Sequence, residues 1–391
     1  MKEGWEYKTL GEVGSFKRGG NFSKKDFVKD GFPCIHYGQI HTKFGIFTEK
    51  HLSCVPANIV KKERCAKKGD LVIAITSEDE EGSCKCTAWM ADYEAYVGGH
   101  TAIYSHTLNP LFMSYYFKSP IFQIEKLNYT HGFKVVEISP KDIAKIKIPI
   151  PSLEEQRRIV SYLDSSFKLI DEIKNKALKS LTEAKALFQS ALAEAMEPKE
   201  GWEEKTLGEL CSIIGGGTPS KKNSSYYNGD IPWATVSDMN CDYLQNTICK
   251  ISDDGVKNSS TQIISKNEVI IATRVGLGKV CILCQDTAIN QDLKGIIPKS
   301  DNKLIRKFIF WWFRSKSNYI VSNGVGATVK GVKLSFVSNL KISLPTISTQ
   351  KQIVSHLDKL SSKVRAIEEK YKKMVEECDA LKQAMLRDVF E

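Results

Sequence analysis

The sequence predicts a mixed α/β (α+β) chain: two globular domains joined by two long antiparallel coiled-coil helices, with pseudo-two-fold symmetry. Three observations predict it. An opening motif recurs half a chain later, a proline-bounded helical signature also recurs, and both helical segments carry apolar residues at alternating spacings of four and three.

The chain has 391 residues, enough for two or three domains with cores of their own. The first globular domain spans 1–150. It opens on Gly4-Trp5-Glu6-Tyr7-Lys8-Thr9-Leu10-Gly11-Glu12-Val13. The same frame returns as Gly201-Trp202-Glu203-Glu204-Lys205-Thr206-Leu207-Gly208-Glu209-Leu210, eight of ten positions being identical. The first long helix spans 151–197. It follows Pro149-Ile150-Pro151, starts on the capping-box pair Ser152 and Glu155, and meets no breaker until Pro198. The second domain, 198–344, shares the edges of the first but little of its interior. Two modules with a common frame and different interiors suit readers of two different ligands. The last segment, 345–391, follows Pro345 and repeats the first helix: Gln156, Ile159, Val160, Leu163 and Asp164 match Gln350, Ile353, Val354, Leu357 and Asp358.

The predicted seam of the second helix is Ile353, Leu357, Leu360, Val364, Ile367, Tyr371, Met374, Cys378, Leu381 and Met385. Its counterpart, Ile159, Leu163, Ser166, Ile170, Ile173, Ala177, Ser180, Ala184, Leu187 and Ala191, is smaller on average. A large-residue seam packs well on a small one, so the two helices are expected to pair. The first helix, about 60 Å long, carries the chain away from the first domain. Only a short link leads to the second domain, so the second helix must run back antiparallel, with one domain at each end.

Net charge is +10. Residues 1–150 hold 21 basic and 17 acidic side chains, and 198–344 hold 19 and 13. The helical segments hold 7 and 8, and 9 and 8. The positive excess therefore lies in the globular domains, as expected of two ends that each neutralise phosphates. No apolar run follows the N-terminus, and the cluster Phe308–Phe313 is too short to span a bilayer. Together with eleven irregularly spaced cysteines, an odd number, this predicts a cytoplasmic chain with reduced thiols and no membrane partner. Cys281-Ile-Leu-Cys284 is a lone CxxC. It reads better as a buried strand than as half of a zinc site.

Motifs for chemistry are missing. Asn109-Pro110-Leu111 does not match the Asn/Asp-Pro-Pro-aromatic tetrapeptide of adenine methyltransferases. Gly276 to Val280 lacks the upstream glycine and the Ser/Thr of a phosphate loop, and the seven histidines form no catalytic signature. Glu78-Asp79-Glu80-Glu81 reads as a solvated acidic loop. No catalytic or metal-ligating residue is assigned.

The repeated openings resemble the specificity subunit of Type I restriction–modification systems. So do Gly215-Gly216-Gly217-Thr218-Pro219-Ser220, Gly229-Asp230-Ile231-Pro232-Trp233, Ala288-Ile289-Asn290-Gln291-Asp292 and the Pro exits into Gln156 and Gln350. The resemblance covers essentially the full chain. It implies a non-catalytic subunit with two target recognition domains, each reading half of an asymmetric bipartite site in double-stranded DNA. It implies helices that set the unread gap and dock two methyltransferase subunits, with restriction (translocase) subunits joining. S-adenosylmethionine, ATP and Mg are expected on those partners and no cofactor in this chain. The alternative reading is a coiled-coil scaffold or adaptor whose end domains bind proteins.

Base reading needs side chains that reach base edges, backed by cations on phosphates. In the first domain Lys17, Arg18, Lys24 and Lys25 are phosphate candidates. His36, Tyr37, Gln39, His41 and Lys43 form a polar-aromatic segment that could reach bases, with Ser77 and Lys134 as further candidates. In the second domain Lys221, Lys222 and Lys330 are expected on phosphate and Thr235, Arg274, Asn290 and Gln291 on bases, with Trp233 packing or stacking. Trp311 and Trp312 are expected in a core.

Overall fold

The structure, a computed structural model, describes residues 4–132, 135–326 and 328–391. The chain divides into two compact units, Met1–Ala177 with Lys372–Glu391, and Leu178–Tyr371.

In the first unit a five-stranded sheet runs in the order Gly14–Arg18, Thr101–His106, Leu71–Ala74, Cys86–Trp89, Phe47–Thr48. A four-stranded sheet runs Ser53–Val55, Phe32–Ile35, Ala95–Val97, Cys65–Ala66. In the second unit the five strands are Cys211–Gly215, Leu293–Pro298, Val269–Ala272, Val280–Leu283 and Tyr243–Leu244. The four are Cys249–Ile251, Ile231–Ala234, Thr287–Ile289 and Gln262–Ile264. In each unit one pair in each sheet is parallel and the rest are antiparallel. Two interiors with little sequence in common thus share one strand plan. The expected strand around Cys281 is present and buried. The Cys281 thiol donates to the Cys241 carbonyl at 2.8 Å, and burial pushes its pKa up to about 12.

The repeated opening is a closing device. Thr9 and Thr206 cap one-turn helices, and Glu12 and Glu209 reach back to their backbone N–H groups at 2.6 Å in both units. Leu10 and Leu207 are fully buried and donate their N–H groups to Ile146 and Leu340. The strands before them, Glu6–Thr9 and Glu203–Thr206, pair antiparallel with Lys147–Ile150 and Lys341–Leu344. Each domain is therefore tied shut at its ends. At Gly208 a Cβ would lie 2.2 Å from Ser338 Oγ, so that hydroxyl would have to turn away.

The long helices span Leu153–Ala195 and Ile347–Phe390. Gln156 and Gln350 are buried in their first turns. Gln156 accepts from the Asn109 N–H and donates to Pro151 O, both at 2.9 Å. Gln350 accepts from the Ile305 N–H at 2.9 Å and donates to Lys303 O and Pro345 O. Eight residues further along each helix, Asp164 accepts from Tyr115 Oη and Asp358 from Trp311 Nε1 and Lys307. These bonds join each helix start to its own domain.

In the first unit Lys174 pairs with Asp379 at 2.8 Å and Lys382 with Asp171 at 2.6 Å. Numbers rise on one helix as they fall on the other, so these segments run antiparallel. In the second unit Lys185 pairs with Glu368 at 2.5 Å.

The predicted seam is covered at most of its positions and is corrected at Ile173, Ser180, Leu187, Ile367 and Leu381. Ile173 and Leu187 are 43% and 70% exposed, and Ile367 and Leu381 are also exposed. Besides predicted members such as Ile159 and Ser166, the covered positions include Leu163, Phe167, Ile170, Lys174, Ala177, Leu181, Ala184 and Phe188. On the second helix they include Leu357, Ser361, Val364, Glu368, Tyr371, Val375, Cys378 and Lys382, with Ile353, Leu360, Met374 and Met385 half-buried beside them. The four-three spacing persists, but alternate members sit one residue later. Polar and charged residues occupy several of them, their aliphatic stems covering the seam while the heads pair at its rim.

Each domain core is completed by helix residues. In the first unit Leu386, Val389 and Phe390 join Phe112, Tyr116 and Phe122. In the second, Phe188, Leu192 and Met196 join Phe308, Trp311, Trp312 and Phe313. The tryptophan pair is core, as expected.

Candidate nucleic-acid interface

In the first unit the strand Gly14–Arg18 ends beside the turn that follows Ala95–Val97. Gly19 packs so closely on that turn that a Cβ would lie 2.0 Å from the Gly98 carbonyl. The chain emerges into a groove of roughly 720 Å³ lined by Arg18, Lys24, Lys25, His36, Tyr37, Arg64, His100 and Glu137, among others. Arg18 Nη2 donates to Glu137 Oε1 at 2.5 Å. Arg64 donates to the Gly19 carbonyl, and at 3.5 Å to that of Arg18. Tyr37 lies between histidines, with ring centroids 4.5 Å from His36, 5.5 Å from His100 and 6.0 Å from His41. Burial, then the nearby charges of Lys24 and His100, lower the His36 pKa. His36 caps the helix Tyr37–Thr42, its Nδ1 accepting from the Gly38 N–H at 3.2 Å. His100 sits at φ +62°, a backbone region few side chains adopt.

The groove thus gathers Arg18, Lys24, Lys25, His36 and Tyr37 from the sequence-predicted set. Gln39 instead bridges the His36 N–H and Ser53 Oγ, both at 2.9 Å. His41 faces the Thr76 carbonyl at 3.3 Å, and Ser77 bonds within its own turn to Asp79. Lys17 and Lys43 are exposed and do not line the groove. Lys134 lies outside the described residues. The acidic run Glu78 to Glu81 is exposed on a loop anchored by buried Lys126, which donates to the Ser83 carbonyl at 2.6 Å.

Sequence reasoning missed Arg64, His100 and Glu137. His100 had a signal: Gly98-Gly99-His100 follows its strand as Asn290-Gln291-Asp292 follows Thr287–Ile289. Arg64 had none, because only the tertiary fold brings it to Gly19.

The second unit repeats the frame with other side chains. Gly216 is as tightly packed as Gly19, with Asn290 O 2.2 Å from a would-be Cβ. Strand registers place Gly215 where the first unit has Arg18, Thr235 for His36, Val236 for Tyr37 and Asp292 for His100. Matching bridges, His131 to Glu137 and Val325 to Gly331, put Gly331 in place of Glu137. Thr235 is engaged with Asp238 at 2.8 Å, and Asn290 is buried against Asp292. Gln291 accepts from Thr218. Trp233 is buried, donating to the Gly217 carbonyl at 3.2 Å, so it packs the glycine turn. Lys221, Lys222, Arg274 and Lys330 are exposed, and Arg274 bridges through its backbone to Gly331.

Among the described residues no group of three or more His, Cys, Asp or Glu could hold a metal ion, and no helix is long and apolar enough to cross a membrane.

The family model of the Type I restriction modification DNA specificity domain matches twice, at residues 2–183 and 199–377. The chain is 32% identical over 238 residues to the EcoR124I/EcoR124II specificity subunit of Escherichia coli. That match covers 58% of this chain and 57% of the relative, so it spans a little over half the relative's length. A solved structure reported as the basis of complex assembly and conformational transition of the type I R-M system superposes with a TM-score of 0.81 at 20% identity, covering 100% of this chain and 98% of the other. The HsdS subunit from Thermoanaerobacter tengcongensis gives 0.59 at 21% identity, covering 100% and 97%. At such identities these two likenesses concern the fold. With the family model covering nearly all of it in two copies, this chain belongs to the Type I restriction modification DNA specificity domain family.

Proposed function

We propose that this chain reads an asymmetric, bipartite site in double-stranded DNA, one half per globular domain. It directs two methyltransferase subunits, and with them restriction subunits, to that site. The observation that carries the reading is a shared frame with unlike side chains: the same strand order and glycine turn present Arg18, Tyr37, His100 and Glu137 in one unit but Gly215, Val236, Asp292 and Gly331 in the other. A common scaffold with different groove side chains suits two different half-sites. The helices set the unread gap and offer surface to the methyltransferases. S-adenosylmethionine, ATP and Mg belong to the partner subunits, and the complex works in the cytoplasm.

The test is exchange of residues 1–150 for those of a relative, with the methylated motif read from the genomic DNA of cells expressing the chain with its methyltransferase. One half of the motif should change, with the other half and the gap kept. A change in both halves, or in neither, would sink the modular reading. An adaptor without DNA specificity would retain no random duplex on a filter at low salt, with or without the methyltransferase.

A further inference from the structure

We propose that Arg18, oriented by Glu137, reads a guanine in the half-site bound by the first domain; this rests on the DNA-reading function above. Arg18 is held at three points. Its backbone pairs with Ala102 in the five-stranded sheet. Its carbonyl and that of Gly19 accept from Arg64, and Gly19 itself is locked against Gly98. Its guanidinium is held by Glu137 through Nη2 alone, at 2.5 Å. The side chain is still more than half exposed at the groove, so the rest of its donor fork is free to meet a ligand.

The pairing decides which ligand. A phosphate needs net positive charge, and Lys24 and Lys25 supply it at the same groove. Arg18 beside Glu137 is a neutral pair, and the carboxylate would repel a phosphate brought against it. What the pair keeps is direction: a planar fork fixed in space, suited to a neutral edge with two acceptors. In the major groove that edge is O6 and N7 of guanine. The second unit, with Gly215 and Gly331, has no such pair, so the contact belongs to one half-site only.

The experiment uses the chain in complex with its methyltransferase, and duplexes carrying the motif found in the methylome. Exchange of 1–150 identifies the half read by the first domain. 7-Deazaguanine, which lacks N7, is placed at each guanine of that half in turn. One position should weaken binding by about tenfold, and the same substitution in that duplex should have no effect on an Arg18→Gln complex. In cells, Arg18→Gln and Arg18→Lys should relax the motif at that G·C position and nowhere else. The lysine variant keeps the charge, so its affinity for random duplex should stay within about twofold of the parent. Glu137→Gln should relax the same position and strengthen binding to random duplex at low salt.

A first half-site without guanine, no loss with any 7-deazaguanine, or an Arg18→Lys protein with an unchanged motif would each overturn the assignment. A parent protein that methylates no bipartite motif would instead remove the function on which it rests.

Discussion

At the residue scale, the repeated glutamine is the clearest case of a motif explained by hydrogen bonds. Gln350 is fully buried and satisfies three backbone groups. Gln350→Leu keeps the volume but orphans all three, and should cost about 2–4 kcal/mol of unfolding free energy in denaturant titration. The capping glutamates carry a pH signature. Side-chain and then backbone bonds from Thr206 hold Glu209 below the ordinary glutamate range. A depressed folded pKa contributes stability above the unfolded value, which is lost as pH falls through the folded one. Stability from this cap should therefore fade only in the acid range below about pH 4. NMR titration should show Glu209 protonating late, and Thr206→Val should move its midpoint upward. Both motifs were legible because each recurs in the duplicated frame, although Gln350 meets Ile305 45 residues away. Arg64 and Glu137 were not, since neither belongs to a repeated motif and the bonds that place them join segments 45 and 119 residues apart.

At the element scale, each domain depends on the far end of a long helix. Phe390 is buried with its ring 5.2 Å from Phe112 and 5.5 Å from Tyr116. Phe390→Ala should destabilise the first unit by about 3–5 kcal/mol. Hydrogen exchange should show lost protection in the Leu71–Ala74 and Thr101–His106 strands, with the second unit's strands unchanged. The second unit has a charged tie of its own: nearly buried Asp242 accepts from Arg314 at 2.9 Å and from Arg365 on the long helix. The helices themselves were legible to within a residue or two, because prolines and caps bound them. Their packing phase was legible only in part. A four-three pattern with a lysine or glutamate at alternate positions fits two registers, and only the partners decide which stem is covered.

At the scale of the whole molecule, the positive excess resides in the globular domains while the helical segments are near neutral. If both domains engage phosphates, affinity for duplex DNA should fall with salt at a log–log slope of about −5 or steeper, since each neutralised phosphate contributes about −0.9. Filter binding between low and moderate salt measures it, and a slope near zero would favour the adaptor. The Arg18→Lys and domain-exchange results bear on the same scale, because they ask whether the two domains act independently.

The sequence by itself determined the duplication, the two long helices, the Ser152 cap and the aromatic core around Trp311 and Trp312. Each rests on local hydrogen bonds, helical periodicity or composition, which act between near neighbours. The tertiary structure alone decided which side chains share the groove, that Arg18 faces Glu137 and that Trp233 is packed away. It also decided which stripe of each helix is covered. Those outcomes depend on sheet register and on close approach of distant backbones at Gly19 and Gly216, where a single Cβ would collide with a carbonyl from another strand end.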